Sequence, residues 1–182
     1  DRLEVWSLFN VTCGFVDVPP SYWAEDSICT IYDEGITTGC SSNPLKYCPQ
    51  DNVTRAQMAV FLGRGIHGNN FTPSAATGVF DDVPVGSFAA NWIEQFYDDG
   101  ITGGCGTSPL RYCPSNPVTR AQMAIFLLRA KHGSNYIPPA ATGIFDDVPV
   151  GSFAANWIEE LYNEGITGGC GTNPLRYCPE SS

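Results

Sequence analysis

The apolar residues of this chain are spaced as in amphipathic helices, and two helical patterns alternate along it. Residues 87–99 carry apolar side chains on one helical face, and Gly100 follows them, where a left-handed helix end is expected. A second helix is predicted to begin at Thr119, because Thr119 and Gln122 form a capping box ahead of another apolar stripe. The stretch between the two helices is rich in glycine, proline and serine, which predicts a loop.

This order of elements recurs at a fixed interval. Residues 80–114 return at 145–179 with 30 of 35 positions unchanged, and more loosely at 15–49, each copy starting 65 residues after the previous one. Constant spacing indicates an array of modules that pack against their neighbours. The segments that join the copies, 68–79 and 133–144, are rich in proline, threonine and alanine and are predicted to be extended tethers.

The repeat divides the chain into a leading half-unit and three helix–loop–helix units. The predicted boundaries are 1–14 for the half-unit and 15–79, 80–144 and 145–182 for the three units. The third unit stops at Ser182, just where its second helix should begin, so the apolar stripe of its first helix is expected to lack a partner.

The leading half-unit resembles the missing helix. Asp1-Arg2-Leu3-Glu4 reproduces the capping pattern of Thr54-Arg55-Ala56-Gln57, and Val5, Leu8 and Phe9 follow at the apolar spacing of that helix. We therefore expect residues 1–10 to complete the third unit, either by folding back within one chain or by inserting into the next chain.

The cysteines predict a disulfide framework. All eight can be paired, since three pairs lie eight residues apart at the same place in each repeat and two cysteines remain. Zinc is the alternative, but zinc sites favour closely spaced pairs and usually need two pairs for each ion. The predicted bonds are Cys40–Cys48, Cys105–Cys113, Cys170–Cys178 and, by elimination, Cys13–Cys29. Such a framework indicates a secreted, extracellular or cell-surface protein.

The composition argues against several classes of function. The formal net charge of -10 argues against nucleic-acid binding, and the longest apolar run, Met58–Leu62, is too short for membrane insertion. No catalytic motif is recognised, so we expect no enzyme and no cofactor. Calcium at the acidic pairs is the alternative to solvated acidic turns. These pairs are Asp81-Asp82, Asp98-Asp99 and Asp146-Asp147.

Three ordered motifs recur in register. They stand in the first copy as Phe15-Val16-Asp17-Val18-Pro19 with Trp23-Ala24, then Gly35-Ile36-Thr37-Thr38-Gly39, then Thr54-Arg55-Ala56-Gln57. In this order the chain resembles the S-layer homology family over nearly its whole length. The resemblance implies a mainly α fold in which three units form a pseudo-threefold arrangement, here with loops closed by disulfides, and a role in attaching exported bacterial proteins to the cell envelope.

The resemblance also implies a binding site for acidic cell-wall polysaccharide in grooves between units. The family uses an aspartate, a tryptophan, a glycine and an arginine of the motifs. Carried over by position, the candidate glycan-binding residues are Asp17, Trp23, Gly39, Arg55, Asp82, Gly104, Arg120, Asp147 and Gly169, with Arg2 of the leading half-unit. The later copies have Phe88 and Phe153 at the position of Trp23, and their tryptophans are Trp92 and Trp157.

Two residue types have a structural reading beside the functional one. Arg2, Arg55 and Arg120 stand in the first turn of a helix, where a cation meets the positive end of the dipole, so contact with an acidic ligand beside free backbone amides is one reading. An ion pair with a motif aspartate is the other. The tryptophans either stack on sugars or belong to the core.

Two functions compete at this point. The first is a structural protein that self-assembles head-to-tail into a surface layer or filament, in which Val5, Leu8 and Phe9 of one chain dock on the next. The second is an anchoring module that binds acidic cell-wall polysaccharide. The repeats alone contain no cargo, which favours the first.

Overall fold

Residues 13–182 are described by a computed structural model. Its five helices are α1 (Glu25–Asp33), α2 (Arg55–His67), α3 (Ala90–Asp98), α4 (Arg120–His132) and α5 (Ala155–Asn163). Its short strands are β1 (Ser41–Ser42), β2 (Leu45–Lys46), β3 (Gly106–Thr107), β4 (Leu110–Arg111), β5 (Gly171–Thr172) and β6 (Leu175–Arg176). Three antiparallel hairpins are formed, by β1 with β2, by β3 with β4 and by β5 with β6. The predicted mainly α fold with one closed loop per repeat is confirmed, while the pseudo-threefold arrangement stays a prediction.

The helix starts follow the predicted capping chemistry with one difference. The hydroxyl of Thr54 accepts the N–H of Gln57, whose side chain in turn accepts the N–H of Thr54 at 2.8 Å, so the capping box is complete. The hydroxyl of Thr119 likewise accepts the N–H of Gln122. The side chain of Gln122, however, accepts a bond from Arg55 at 3.3 Å instead.

All four predicted disulfides are present. Cys13–Cys29, Cys40–Cys48, Cys105–Cys113 and Cys170–Cys178 are bonded, and the described residues contain no free cysteine. The three bonds eight residues apart each close one of the hairpins. These bonds favour the disulfide interpretation over zinc, because a disulfide sulfur is no thiolate ligand.

Two compact units make up the chain, residues 1–51 and 52–182. In the first, described from Cys13 onward, Phe15 packs edge-on against Tyr32 and Tyr47 and is buried with Val18 and Ile28. Helix α1 and the β1–β2 hairpin contribute to this small core.

The second unit contains two helix pairs, α2 with α3 and α4 with α5, each around its own hydrophobic core. The second helix of one sequence repeat therefore packs on the first helix of the next repeat. Residues of α4 such as Ala124 and Leu128 are fully buried against Ile158 and Leu161 of α5. The expectation that the third copy has an uncovered apolar stripe is wrong, because the stripe of α5 is covered by the preceding helix. Residues 1–12, including Val5, Leu8 and Phe9, lie outside the described part of the chain.

A buried carboxylate fixes each of the two linkers in this unit. Glu94 of α3 accepts the backbone N–H groups of Thr77, Gly78 and Val79 at 2.7 to 2.9 Å, and also the Thr77 hydroxyl. Glu159 of α5 holds residues 142–144 in the same way. We call each arrangement a linker clamp. The predicted extended tethers are thus bound along the helix by specific hydrogen bonds.

The first copy has a covalent bond at the equivalent place. Counting back 65 residues from Glu94 and Gly78 gives Cys29 and Cys13, which form a disulfide. The N–H of Cys13 also points to the Cys29 sulfur at 3.2 Å, as the N–H of Gly78 points to Glu94. A disulfide therefore occupies the position of the linker clamp in the first copy.

Over the described residues, none of the helices combines the length and the apolar character that a bilayer crossing needs.

Candidate functional site

The motif aspartates organise the closed hairpins. Asp82 accepts the N–H groups of Tyr112 and Cys113, both at 2.8 Å, on its two carboxylate oxygens. Asp17 and Asp147 do the same for the corresponding hairpins at 2.8 to 2.9 Å. Burial works to raise the pKa of Asp147, but the two hairpin N–H bonds outweigh it and the pKa is lowered. Each aspartate thus has a structural role, with lone pairs left for a further donor.

The motif glycines are required by packing. Gly104 has φ +87, and a Cβ there would meet the carbonyl of Arg111 and lie 3.1 Å from the ring of Phe80. Gly169 repeats this geometry in the third copy, and Gly39 repeats it in the first with Phe15. Their place is explained by the close approach of the hairpin, without a ligand.

Arg55 is an interior residue. It is 3% exposed, its Nε donates to the carbonyl of Tyr112 at 2.7 Å, and its guanidinium lies over the rings of Tyr112 and Phe126 at 4.7 and 5.5 Å. Burial lowers the pKa of this guanidinium, against a smaller opposing effect of Tyr112 and Asp82. The hydrogen bonds of Arg55 go to Tyr112 and Gln122 rather than to a motif aspartate, and its Nη2 is buried without a hydrogen-bond partner. Its contact with a ligand stays a prediction.

Arg120 makes the bond equivalent to that of Arg55 but is more exposed to solvent. Its Nε donates to the carbonyl of Tyr177 at 2.8 Å and its guanidinium lies 4.6 Å from the centre of that ring. Unlike Arg55, it is only partly buried. Arg120 as a whole is therefore more accessible to water than Arg55.

The amides at the start of α2 are not free. The N–H of Arg55 donates to the carbonyl of Asn116 at 2.8 Å, that of Ala56 to Pro114 at 3.0 Å, and that of Gln57 to the Thr54 hydroxyl. At α4 the amides of Arg120 and Ala121 are taken by Ser181 and Pro179. The expectation of free amides beside the arginines is wrong, because the chain segment after each hairpin satisfies them.

The aromatic residues divide into core and surface. Trp92 packs on Gly63 of α2, where a Cβ would lie 2.5 Å from the indole, and Trp157 packs against the α4–α5 core. The most exposed aromatics among residues 13–182 are Trp23, Phe88 and Phe153, at 88, 71 and 65%. These three share one repeat position, the position of the family tryptophan.

A groove of about 470 Å³ lies at the start of α2. Its walls include Ala56, Pro84 and Pro114, and its polar lining comes from Thr54, Gln57, Asp82, Ser87 and Ser115, with the exposed ring of Phe88. The structure thus brings Asp82 together with Phe88 and leaves Arg55 and Gly104 out of the lining.

Comparison with protein families finds a match in the first copy. Residues 14–59 match the S-layer homology domain. The chain contains an S-layer homology domain over these residues. The later copies repeat the motifs of the matched region at a spacing of 65 residues. The domain match and the S-layer relatives place the protein at the cell surface or outside the cell, as predicted.

The relatives that the chain matches are larger proteins. It is 29% identical to an amylopullulanase from Thermoanaerobacterium thermosulfurigenes over 90% of its own residues and 8% of the relative. It is 28% identical to an endoglucanase from a Bacillus species, over 81% of its residues and 15% of the relative. It is 28% identical to an S-layer protein of Bacillus licheniformis, over 87% of its residues and 17% of the relative. The chain therefore spans less than a fifth of each, and its similarity to the enzymes is confined to a non-catalytic module.

Three features of the site were missed from sequence. They are the occupied helix-start amides, the interior position of Arg55 and the carboxylate clamps on the linkers. A signal for the clamps was available, since Glu94 and Glu159 interrupt an apolar helical face and precede no basic residue at helical spacing.

Proposed function

We propose that this module attaches its protein to the cell surface by holding a cell-wall polysaccharide in the groove at the start of α2 and at the equivalent position of α4. The observation that carries the proposal is the groove itself, in which an exposed ring lies in one lining with a carboxylate and several hydroxyl groups. Sugars combine apolar faces with hydroxyl donors, and aromatic rings and carboxylates match these two properties.

The equivalent position at α4 supports the proposal. Thr119, Gln122, Asp147, Ser152 and Phe153 stand 65 residues after Thr54, Gln57, Asp82, Ser87 and Phe88. The helix start is joined to its hairpin segment in both cases, by Ala56 to Pro114 and by Ala121 to Pro179. Repetition of one site along a chain raises avidity for a repeating polymer.

Removal of the three exposed rings is expected to abolish this attachment. Co-sedimentation with cell walls of the producing organism measures the dissociation constant. For the variant Trp23→Ala/Phe88→Ala/Phe153→Ala this constant should be at least tenfold higher than for the wild type. Its thermal unfolding should be unchanged, because exposed rings contribute little to the core.

Ile137→Ala is the matched control, since Ile137 is 85% exposed and lies away from the groove lining. It should bind walls as the wild type does. Equal binding of the triple variant and the control would show that the aromatic position does not hold the polysaccharide.

One observation that favoured head-to-tail self-assembly does not hold. It rested on an acceptor stripe in the third copy, and that stripe is covered by α4. The donor segment, residues 1–10, lies outside the described residues, and assembly stays a prediction.

A further inference from the structure

Each disulfide-closed hairpin has a motif aspartate beside its two sulfurs. In the second copy, a carboxylate oxygen of Asp82 and the sulfurs of Cys105 and Cys113 all lie within 4.8 Å of one another. The same three residue types meet in the other two copies, as Asp17 with Cys40 and Cys48 and as Asp147 with Cys170 and Cys178. Thiolate sulfur and carboxylate oxygen are both zinc ligands in proteins. The chain thus brings together, at each hairpin, three atoms that can bind one metal ion.

The aspartate is positioned independently of the sulfur–sulfur bond. The two carboxylate oxygens of Asp82 accept the N–H groups of Tyr112 and Cys113, both at 2.8 Å, and each oxygen keeps a lone pair. The hairpin is also closed by backbone bonds, among them that from the N–H of Cys105 to the carbonyl of Arg111 at 2.6 Å. Hydrogen bonds to a carboxylate orient it as a metal ligand. Opening the disulfide breaks none of these bonds.

The hairpin leaves room for a fourth ligand. A concave surface of about 390 Å³ has a lining that includes Cys105, Thr107, Ser108, Arg111 and Cys113. Cys105 is exposed, so the sulfurs can be reached from solvent. Zinc sites with three protein ligands keep the fourth position for water.

The fourth disulfide lacks this arrangement. Cys29 is 3% exposed, and among residues 13–182 no histidine or carboxylate forms such a group with Cys13 and Cys29. Within the described part of the chain, the three-ligand arrangement therefore belongs to the hairpins.

The charges near the hairpin of the second copy fit a bound divalent cation. Two thiolates and one carboxylate carry three negative charges, so one negative charge remains when a divalent cation binds. Arg111 lines the concave surface with an exposed side chain, and the buried Arg55 interacts electrostatically with Asp82. These two guanidinium groups offset the remaining charge.

We propose that each hairpin is a redox-gated zinc site, in which the disulfide excludes the metal and the reduced hairpin binds Zn²⁺ through two thiolates and the motif aspartate. One cysteine pair per copy argued against zinc, and the aspartate supplies a ligand that a second pair would otherwise provide. Two Zn–S bonds of about 2.3 Å at a tetrahedral angle place the sulfurs about 3.8 Å apart. Cys105 and Cys113, whose Cα atoms are 6.0 Å apart, can reach this separation by rotation of their side chains.

The gating step is a thiol–disulfide exchange. Two molecules of a thiol, RSH, give two electrons and two protons to the disulfide and leave as one RSSR, so that both cysteines become thiols. The first RSH attacks Cys105, because Cys105 is exposed whereas Cys113 is half-buried. Zn²⁺ then displaces the two thiol protons, which pass to water as the two Zn–S bonds form.

The test isolates one hairpin in the full chain. The variant Cys40→Ser/Cys48→Ser/Cys170→Ser/Cys178→Ser, called the isolated-hairpin variant, retains the hairpin of the second copy. It is reduced with a phosphine, which takes an oxygen atom from water and becomes the phosphine oxide, and is titrated under anaerobic conditions with Co²⁺ and then Zn²⁺. We expect one Co²⁺ per chain with the visible absorption of tetrahedral cobalt, and its displacement by Zn²⁺. The same variant with its disulfide intact should bind neither ion.

Substitution of the aspartate tests the third ligand. Asp82→Asn keeps an oxygen acceptor for the hairpin N–H groups but removes the carboxylate. Since partners outside the ligand set already contribute about 10–100-fold to metal affinity, Asp82→Asn should weaken Zn²⁺ binding at least about tenfold in the isolated-hairpin variant. Asp81→Asn is the matched control, because Asp81 is the neighbouring carboxylate, faces Arg111 at 4.0 Å and lies outside the group. Because its exposed charge is screened, it should change the affinity by less than about twofold.

Each of four results would overturn the inference. One is an equal Zn²⁺ affinity with and without Asp82→Asn. Another is one ion for every two chains, because the sulfurs of two copies would then share the metal. Zn²⁺ binding that persists after Cys105→Ser and Cys113→Ser are added would place the metal at Cys13 and Cys29. The last is failure of the reduced hairpin to bind Zn²⁺, whether or not circular dichroism shows that the helices of the chain are intact.

Discussion

Glu94→Ala is expected to lower the free energy of unfolding by about 3 kcal/mol. Hydrogen bonds to a charged acceptor contribute about 1.5–3 kcal/mol each. Glu94 accepts three backbone N–H groups and one hydroxyl, but the linker residues that donate them are exposed, so water replaces part of the loss. Chemical denaturation of the variant and the wild type measures the difference.

Gln95→Ala is the control for this prediction, because Gln95 follows Glu94 on the same helix and its side chain donates a part-buried hydrogen bond to Asp99 at 2.9 Å, not to the linker. It should change stability by less than about 0.5 kcal/mol. Glu159→Ala should repeat the large loss in the third copy, where the same four bonds exist. A loss below about 1 kcal/mol in both glutamate variants would show that the linkers are held by other contacts.

Arg55→Ala is also expected to cost about 3 kcal/mol, about twice the cost of Arg120→Ala. The substitution removes a buried side chain from between two rings and leaves the carbonyl of Tyr112 without its donor, which costs about 1–3 kcal/mol for a buried group. Arg120 makes the equivalent bond but is partly exposed, so water can reach the carbonyl of Tyr177 after substitution.

Arg55→Ala also tests the glycan-binding role of Arg55 that the family resemblance implies. At a temperature where Arg55→Ala is still folded, its sedimentation with cell walls should equal that of the wild type. If Arg55→Ala instead lost sedimentation while unfolding at the wild-type denaturant concentration, Arg55 would be a ligand-binding residue and its interior placement would be irrelevant to function.

Sequence reasoning succeeded where the signal is local. The helix over residues 87–99, the start at Thr119 and the loops closed by disulfides each depend on residues close together in the chain, so spacing and capping chemistry were sufficient. Asp82, which its motif position placed among the candidate site residues, lies in the lining of the α2 groove.

It failed where the outcome depends on which elements meet. Nothing within residues 54–67 indicates that α2 packs on the helix that follows it, and a symmetric repeat is equally consistent with pairing inside one copy. The burial of Arg55 follows from that pairing, because the carbonyl and ring of Tyr112 that receive it lie 57 residues further along the chain. Local rules cannot predict such long-range neighbours.

Because a disulfide stands in place of one linker clamp, the three copies differ in the solution conditions that destabilise them. Burial works to raise the pKa of Glu94, but its bonds to the linker outweigh burial and the pKa is lowered; the same holds for Glu159. A lowered folded-state pKa means that the stabilisation is complete above the ordinary carboxyl range and is lost as pH falls through the folded-state value. The Cys13–Cys29 bond does not titrate there and is opened by thiol reductants.

Acid should therefore break the hydrogen bonds of the two linker clamps and leave the Cys13–Cys29 bond closed. Hydrogen exchange in mild acid, corrected for intrinsic rates, should show faster exchange at the amides of Gly78 and Gly143 and little change at Cys13. A cell-surface protein built this way would keep the Cys13–Cys29 bond of its first copy in acidic surroundings and both linker clamps in reducing ones, so neither condition alone would open all three links.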